Sequence, residues 1–233
     1  MKAFVFDLGD TLIEYEGLPL SWEAHYSDAL NCLAGSLGIS LNGAQLADGH
    51  VVLRKYNTRL TPRDREVTFT AILEDLLVCW SDRSARHDEI HCATAFFQIF
   101  RQRLRCFPET KAVLKSLRQR GVAIGIFTDV PYGMPRDFVL ADIKEAAVDG
   151  LFDVLLTSRD VGYRKPRLET ISAVAAALNC AAHQITHVGN EKKDIDVARA
   201  FGCRTVLINR SGQKIDWGQE KTVASLLELV RDN

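Results

Sequence analysis

Four short stretches of the chain carry residues whose types could do chemistry together. They are Asp7-Leu8-Gly9-Asp10-Thr11-Leu12, Thr128-Asp129, Lys165-Pro166, and Gly189-Asn190-Glu191 with Asp194. Between them they supply carboxylates, hydroxyls, an amide and a lysine. A carboxylate can attack phosphorus and form an acyl phosphate, which splits a hydrolysis into two easier displacements. Charge then spreads over the equatorial phosphoryl oxygens, which calls for a cation, a hydroxyl or amide donor and a magnesium ion around one point. Magnesium takes oxygen ligands, usually one or two protein carboxylates, with water or phosphate filling the rest. Each stretch alone also has a plain structural reading: an Asp after a strand commonly shapes a turn, and a Lys-Pro commonly enters a helix.

What joins the four is the kind of element that precedes them. The apolar run from Lys2 to Asp7 ends in Gly9 and Asp10, which predicts a buried strand closed by a tight turn. Residues from about 20 to 105 read as helical almost throughout. Ser21 is placed to cap a helix with Trp22, Tyr26, Ala29, Leu30 and Leu33 on its apolar face. Pro62 opens a second helical stretch bearing Phe69, Ile72, Leu73, Leu76, Leu77 and Trp80, and Ile90, Ala93, Phe97, Phe100 and Leu104 mark a third. These helices read as a separate small bundle. After Cys106, helix and strand alternate. Pro108 starts and Gly121 stops a helix, strands are predicted at 122–127, 154–156, 185–188 and 205–208, and helices at about 167–179, 192–201 and 222–231. This rhythm predicts an α/β, doubly wound parallel sheet, in which ligands bind beyond the carboxyl ends of the strands.

In order and spacing, the four stretches resemble the haloacid dehalogenase-like (HAD) superfamily of phosphatases and related hydrolases, over essentially the whole chain. The family ends its first strand with D-x-D-x-T and its second with Thr or Ser, places a Lys after its third, and follows its fourth with an acidic G-D-x-x-x-D. Here Asp7 to Leu12, Ile126-Phe127-Thr128-Asp129, Gly162-Tyr163-Arg164-Lys165-Pro166 and Val188 to Asp194 match in turn. The helical stretch between the first two motifs is similar to the family's α-helical cap. The resemblance implies a Rossmann-like core of residues 1–13 and 107–233 and a cap of residues 14–106. It further implies hydrolysis of a small phosphorylated metabolite through an aspartyl-phosphate on Asp7, with Thr128 and Lys165 completing the catalytic set. Asp7, the Gly9 carbonyl, Asn190 and Asp194 are the implied ligands or anchors of a Mg2+ ion, and Gly9, Asp10 and Asp129 the implied substrate contacts.

Three positions depart from the family pattern. Gly9 stands where the family carries the Asp that protonates the leaving group and then activates water, help that is typically worth about 10²–10⁴ in rate. Some phosphatases of the superfamily carry Gly there, which keeps a phosphatase the first reading. A second reading is carbon chemistry of the 2-haloacid dehalogenase type, which also lacks that Asp and needs no metal. A third is a phosphate- or partner-binding member with little turnover. Asn190 replaces the first acid of the fourth motif, so Glu191 or Asp194 has to balance the ion's charge. Asp129, where Asn is more frequent, either shapes the turn before Pro131 and Gly133 or orients Lys165 or water.

In the predicted cap, Arg54-Lys55-Tyr56-Asn57-Thr58-Arg59 is the best polar cluster, and Arg59 is its candidate substrate contact, because a guanidinium can hold a carboxylate or phosphate bidentately. Arg63, Arg65 and Glu66 read equally as surface pairs. The 233 residues are 47% hydrophobic and 25% charged, with a formal net charge of −1. That excludes a disordered, collagen-like or disulfide-dense chain and argues against a nucleic-acid partner. The basic run Arg101-Gln102-Arg103-Leu104-Arg105, with Lys111, Lys115, Arg118 and Arg120, therefore reads as solvated helix faces. His187 reads as a core histidine. The six cysteines show no C-x-x-C pair and read as reduced core thiols. Asp7 breaks the apolar start, and no stretch reaches the roughly 18 apolar residues of a membrane span. A cytoplasmic protein is expected, with a small phosphorylated molecule as partner, no nucleic acid, no membrane, and an oligomeric state that the sequence leaves open.

Overall fold

A computed structural model describes residues 3–81, 88–101 and 104–231. Lys2, Gln102 and Arg103, named above, lie outside the described residues. Strand β1 (Ala3–Phe6) is buried at every position. Phe4 and Phe6 enter one apolar cluster while Ala3 and Val5 enter another, so both faces of the strand are covered. That is why its sequence is continuously apolar instead of alternating.

From β1 the chain runs through a short strand, β2 (Ile13–Tyr15), into the helices α1 (Tyr26–Ser36), α2 (Gly43–Tyr56), α3 (Phe69–Cys79) and α4 (Glu89–Phe97). It then returns through β3 (Leu104–Cys106), which pairs antiparallel with β2. The remainder is α5 (Thr110–Gln119), β4 (Ala123–Thr128), α6 (Arg136–Glu145), β5 (Val154–Thr157), α7 (Ser158–Val161), α8 (Leu168–Ala177), β6 (Ile185–Gly189), α9 (Lys192–Phe201), β7 (Arg204–Ile208) and β8 (Lys221–Val223). The strands form a parallel sheet of order β5-β4-β1-β6-β7-β8. Ile171 and Val174 of α8 and Val197 and Ala198 of α9 cover one face; Val113 and Leu114 of α5 and Val139 of α6 cover the other. The doubly wound architecture expected from the sequence is present, with β1 at the centre and its neighbours β4 and β6 in register at Phe6, Ile126 and Val188.

The helices between β2 and β3 pack α1 against α4 and α2, and α2 against α3. Their apolar faces are continuous with the sheet's: Leu30, Phe69 and Phe96 belong to the same buried cluster as Phe6, Leu12 and Val113. Trp22 stacks on Phe100 at 4.0 Å and on Tyr132 at 5.7 Å, joining the helical layer to the turn that follows β4.

Several element predictions need correcting. The second helical stretch begins at Phe69, because the Thr68 hydroxyl caps it by accepting from Ala71 N at 3.2 Å. Residues 62–68 are an irregular loop, bridged at Arg65 to Tyr163. Leu104 leaves the helical pattern and pairs with Tyr15 across β2 and β3. The helix expected at 222–231 is instead β8 followed by a 3-10 turn at Leu226–Leu229. Val223 and Leu226 have helical spacing, but Val223 is taken up by the open edge of β7 beside Ile208. Ser21 makes no side-chain cap; its hydroxyl accepts from Asn57 Nδ2 at 3.1 Å.

Candidate active site

Asp7 stands one residue beyond β1, and its N–H donates to the Val188 carbonyl at 2.9 Å, carrying the pairing with β6 into the turn. The carboxylate is thereby fixed beyond the carboxyl end of the sheet, at the edge of a cavity of about 200 Å³ between strand ends and helical layer. Lys165 Nζ lies 2.5 Å from Asp7 Oδ1 and 2.6 Å from Asp194 Oδ1. Thr11 Oγ1 lies 3.3 Å from both Asp7 Oδ2 and Asn190 Oδ1, so these two oxygens converge on one hydroxyl. The turn that presents Thr11 is closed by Leu12 N donating to the Leu8 carbonyl at 2.9 Å. It is also gripped by Arg210, whose guanidinium donates to the Asp10 and Thr11 carbonyls at 2.9 and 3.1 Å.

Asp194 lies in the first turn of α9, where its Oδ2 accepts from Glu191 N at 2.9 Å. Gly189 makes room for it, since a Cβ there would overlap the Asp194 carboxyl group. Lys165 is held from its backbone as well: its N–H donates to Asp129 Oδ1 at 3.1 Å. Asp129 Oδ2 pairs with Lys193 Nζ at 2.9 Å, and Lys193 pairs in turn with Glu191 at 3.0 Å. Arg59, just past α2, pairs with Glu191 from the opposite side of the cavity. Arg164 turns to the buried side chain of Glu66 and to the Val130 carbonyl at 2.6 Å.

The shared lysine sets the charge states. Burial pushes the Asp7 carboxyl up to about 7, and the adjacent Asp194 adds to this, while Lys165 and Lys193 pull the other way. Burial also acts on Asp194, but Lys165, His187 and Lys193 outweigh it and hold that carboxyl well below the usual range. Lys165 is buried, yet Asp194, Asp7 and Asp129 keep its ammonium charged far above ordinary pH. Burial disfavours the Asp129 carboxylate too, but Lys193, Arg164 and Lys165 hold it low. The result is a fixed ammonium beneath a carboxylate that faces a cavity, the arrangement a nucleophilic carboxylate needs to approach an anionic ester.

Of the candidates named from the sequence, Asp7, Gly9, Asp10, Thr128, Asp129, Asn190 and Arg59 line this one cavity. Lys165 and Asp194 lie behind Asp7, closed off from solvent. Arg59 reaches the cavity with its guanidinium engaged by Glu191. Asp129 both orients the Lys165 backbone and neutralises Lys193. Sequence reasoning passed over Thr11, four residues after Asp7, and Lys193, although both sit inside the quoted motifs. It also missed Arg210, which follows the last motif and carries no signal. Glu66 is no surface residue: its side chain is 2% exposed, pairs with Arg63 at 3.0 Å and accepts from the Ser158 hydroxyl at 2.5 Å. Arg101 likewise is not a solvated face, because it pairs with the buried Asp142 and lies over the Phe138 ring. His187 is 1% exposed, with Nε2 3.7 Å from Asp194 Oδ1.

The implied magnesium ion can be tested against the donor set. Asp7 Oδ2 and Asn190 Oδ1 converge and face the cavity, and Gly9 lines the same wall, which gives hard oxygen donors with space for water or phosphate beside them. Among the described residues no three His, Cys, Asp or Glu side chains form a closed cage. Magnesium does not ask for one, because it dehydrates reluctantly and takes few carboxylates. Asp194 is fully buried against Lys165, which fits a supporting charge behind the donors. The residues present fit the ion.

A family model described as haloacid dehalogenase-like hydrolase matches residues 1–202. The ribulose-1,5-bisphosphate 5-phosphatase of Halopiger xanaduensis is 27% identical over 215 residues, covering 90% of this chain and 85% of that protein. The phosphoglycolate phosphatase of Escherichia coli is 28% identical over 120 residues, 50% of this chain and 46% of that protein, so the match spans about half the length of this relative. Among solved structures, an HAD phosphatase from Thermococcus onnurineus superposes with a TM-score of 0.65 at 22% identity, over 98% of this chain and 96% of that one. A 2-haloacid dehalogenase from Pseudomonas syringae pv. Tomato DC3000 gives a TM-score of 0.68 at 21% identity, over 98% and 96%. At these identities the two structures show a common fold and do not separate phosphorus from carbon chemistry.

Proposed function

Because the chain belongs to the haloacid dehalogenase-like hydrolase family, matched over residues 1–202, we propose that it is a magnesium-dependent phosphatase of small phosphorylated metabolites, with Asp7 as nucleophile. The observation that carries this reading is the Asp7 carboxylate facing a cavity with the Lys165 ammonium 2.5 Å away and Asn190 converging beside it. The phosphatase names of the relatives in Halopiger xanaduensis and Escherichia coli support it.

An Asp7 oxygen bonds to phosphorus as the ester P–O bond breaks and the alcohol departs. Water then attacks the phosphorus, releasing inorganic phosphate and restoring Asp7. Lys165 favours the ionised form of Asp7 against the effect of burial and offsets charge on the phosphoryl oxygens, and Thr128, at the end of β4, offers them a hydroxyl. Asp129 positions Lys165 through its backbone N–H. Asp7, Asn190 and the Gly9 carbonyl would hold a magnesium ion, whose charge offsets that of the transferring group. With no carboxyl at Gly9, the departing oxygen takes its proton from water, which favours esters with good leaving groups.

In this reading residues 14–106 act as the cap and residues 1–13 and 107–233 as the catalytic core, with Asp10 and Arg59 at the substrate's entrance. The reading further puts the reaction in the cytoplasm, a reducing compartment that six free cysteines suit. Hydrolysis of p-nitrophenyl phosphate, with magnesium and with chelator, tests the proposal. Magnesium-dependent turnover that is lost in Asp7→Asn supports it. Full activity in Asp7→Asn overturns it, as does halide release from a 2-haloacid in chelator without any phosphate release.

A further inference from the structure

The cavity above Asp7 has two unlike walls. One is ionic, and all of its cations are spent: Arg59 on Glu191, Lys193 on Glu191 and Asp129, Arg164 on Glu66. Asp10 adds a further carboxylate, which Arg59 and Arg210 influence only at longer range while they pair with Glu191 and Glu109. The other wall is apolar, built from Leu18, Leu20, Trp22, Tyr132, Met134 and Val139. Its few polar atoms are tied to one another. The Tyr132 hydroxyl meets that of Tyr26 at 2.6 Å, and Asn57 Nδ2 donates to Tyr26 at 2.9 Å. Asp142, at the far end, is held by Tyr15 and Arg101. This wall is also stiff, because Trp22 is stacked between Phe100 and Tyr132.

A substrate group carrying a second negative charge would have to break one of these ion pairs to find a cation, leaving a partly buried carboxylate unpaired. A neutral organic group gives up little hydration and covers the apolar surface that is still wet, which is Leu20 at the rim, 61% exposed, and the half-buried Leu18, with Trp22, Tyr132, Met134 and Val139 buried behind them. Resting on the phosphatase reading, we infer that the substrate is a phosphate monoester whose alcohol part is uncharged and carries an apolar, ring-sized face, seated on the Leu18–Leu20 segment in front of the buried Trp22 and Tyr132.

The test uses benzylphosphonate and 4-carboxybenzylphosphonate, a pair that differs by one remote carboxylate group and that the enzyme does not need to cleave. Binding of each is measured by calorimetry on the full chain in magnesium buffer, with p-nitrophenyl phosphate hydrolysis assayed in parallel. The neutral compound is expected to bind at least about tenfold more tightly, and Leu20→Arg, an exposed position that can take the change, to remove at least half of that preference in log units. Equal or tighter binding of the carboxylate, or binding of neither compound, overturns the inference. So does a preference that Leu20→Arg leaves intact, since the discrimination would then lie off this wall. Loss of the phosphatase reading shows separately, as no p-nitrophenyl phosphate turnover.

Discussion

Asp7 and Asp194 share the Lys165 ammonium at nearly equal distances, 2.5 and 2.6 Å, yet their affinities for a proton move apart. Asp194 also accepts from Glu191 N and lies beside His187, whereas Asp7 has only the long bond from Thr11 and an open cavity in front of it. The proton therefore goes to Asp7 first, and in the proposed mechanism Asp7 is the carboxylate whose ionisation a bound cation would favour. Lys165→Met is expected to reduce phosphate-ester turnover at least about 10³-fold, since it removes the charge proposed to stabilise the transferring group and leaves two buried carboxylates facing each other. Steady-state rates with p-nitrophenyl phosphate measure this, and a loss smaller than tenfold would remove Lys165 from the mechanism. Gly9 gives a second test. A Cβ at Gly9 meets nothing within 4 Å, so a side chain fits there. Gly9→Asp is expected to raise kcat/KM for benzyl phosphate, a poor leaving group, by about 10–10²-fold, and to change p-nitrophenyl phosphate hydrolysis far less. Equal effects on the two esters would show that leaving-group protonation is not what this position lacks.

The elements position these residues through turns more than through their regular parts. β1 ends one residue short of Asp7, and the Leu8–Ile13 turn, with Asp10 in the left-handed region at φ 56°, folds back so that Thr11 meets the carboxylate. After β4 the chain turns again, with Tyr132 at φ 47° and Gly133 at φ 61°. Gly133 is pressed against the backbone before α3: a Cβ would lie 2.6 Å from Phe69 N. Gly133→Ala therefore combines a disfavoured backbone conformation with a clash that no side chain can relieve, and is expected to cost about 2–4 kcal/mol. A lowered urea midpoint at unchanged m-value measures it, and a midpoint within error of the parent would refute the packing argument. The strands and the strand-end motifs were legible because buried parallel strands leave continuous apolar runs with Gly, Asp or Lys-Pro at their ends. Short pairings were not: β2 with β3 and β8 with β7 are three-residue contacts decided by which edge is open. Glu66 was unreadable for a similar reason, since its burial depends on Arg164 and Ser158, which are distant in sequence, meeting the loop it shares with Arg63.

At the scale of the whole molecule, the helical layer and the sheet are joined by one apolar cluster and by ion pairs around the cavity. Periodicity shows which face of each helix is apolar but not which neighbour covers it, so the layer reads from sequence as a bundle apart when its core is continuous with that of the sheet. Among the polar ties, Arg59–Glu191 crosses the cavity and is open to its contents. Arg159–Glu89, by contrast, lies away from the chemistry: Arg159 in α7 donates to the Gly133 carbonyl at 3.0 Å and pairs at 2.9 Å with Glu89 at the start of α4. Burial opposes ionisation of Glu89, but the bonds from Arg159 and Thr70 N prevail, so its carboxyl lies below its ordinary 4.5 in the folded protein. A depressed acid binds fewer protons folded than unfolded. Its contribution to stability is therefore complete above pH 4.5 and is lost as pH falls through the folded value. The pair is partly solvated, so Glu89→Gln is expected to cost only about 0.5–1 kcal/mol at neutral pH. The difference from the parent should shrink toward zero in acid, where the parent's Glu89 is protonated as well. Urea titrations of both proteins across that range decide the point: a difference that stays constant or grows in acid would mean that the tie stabilises through packing and not through charge.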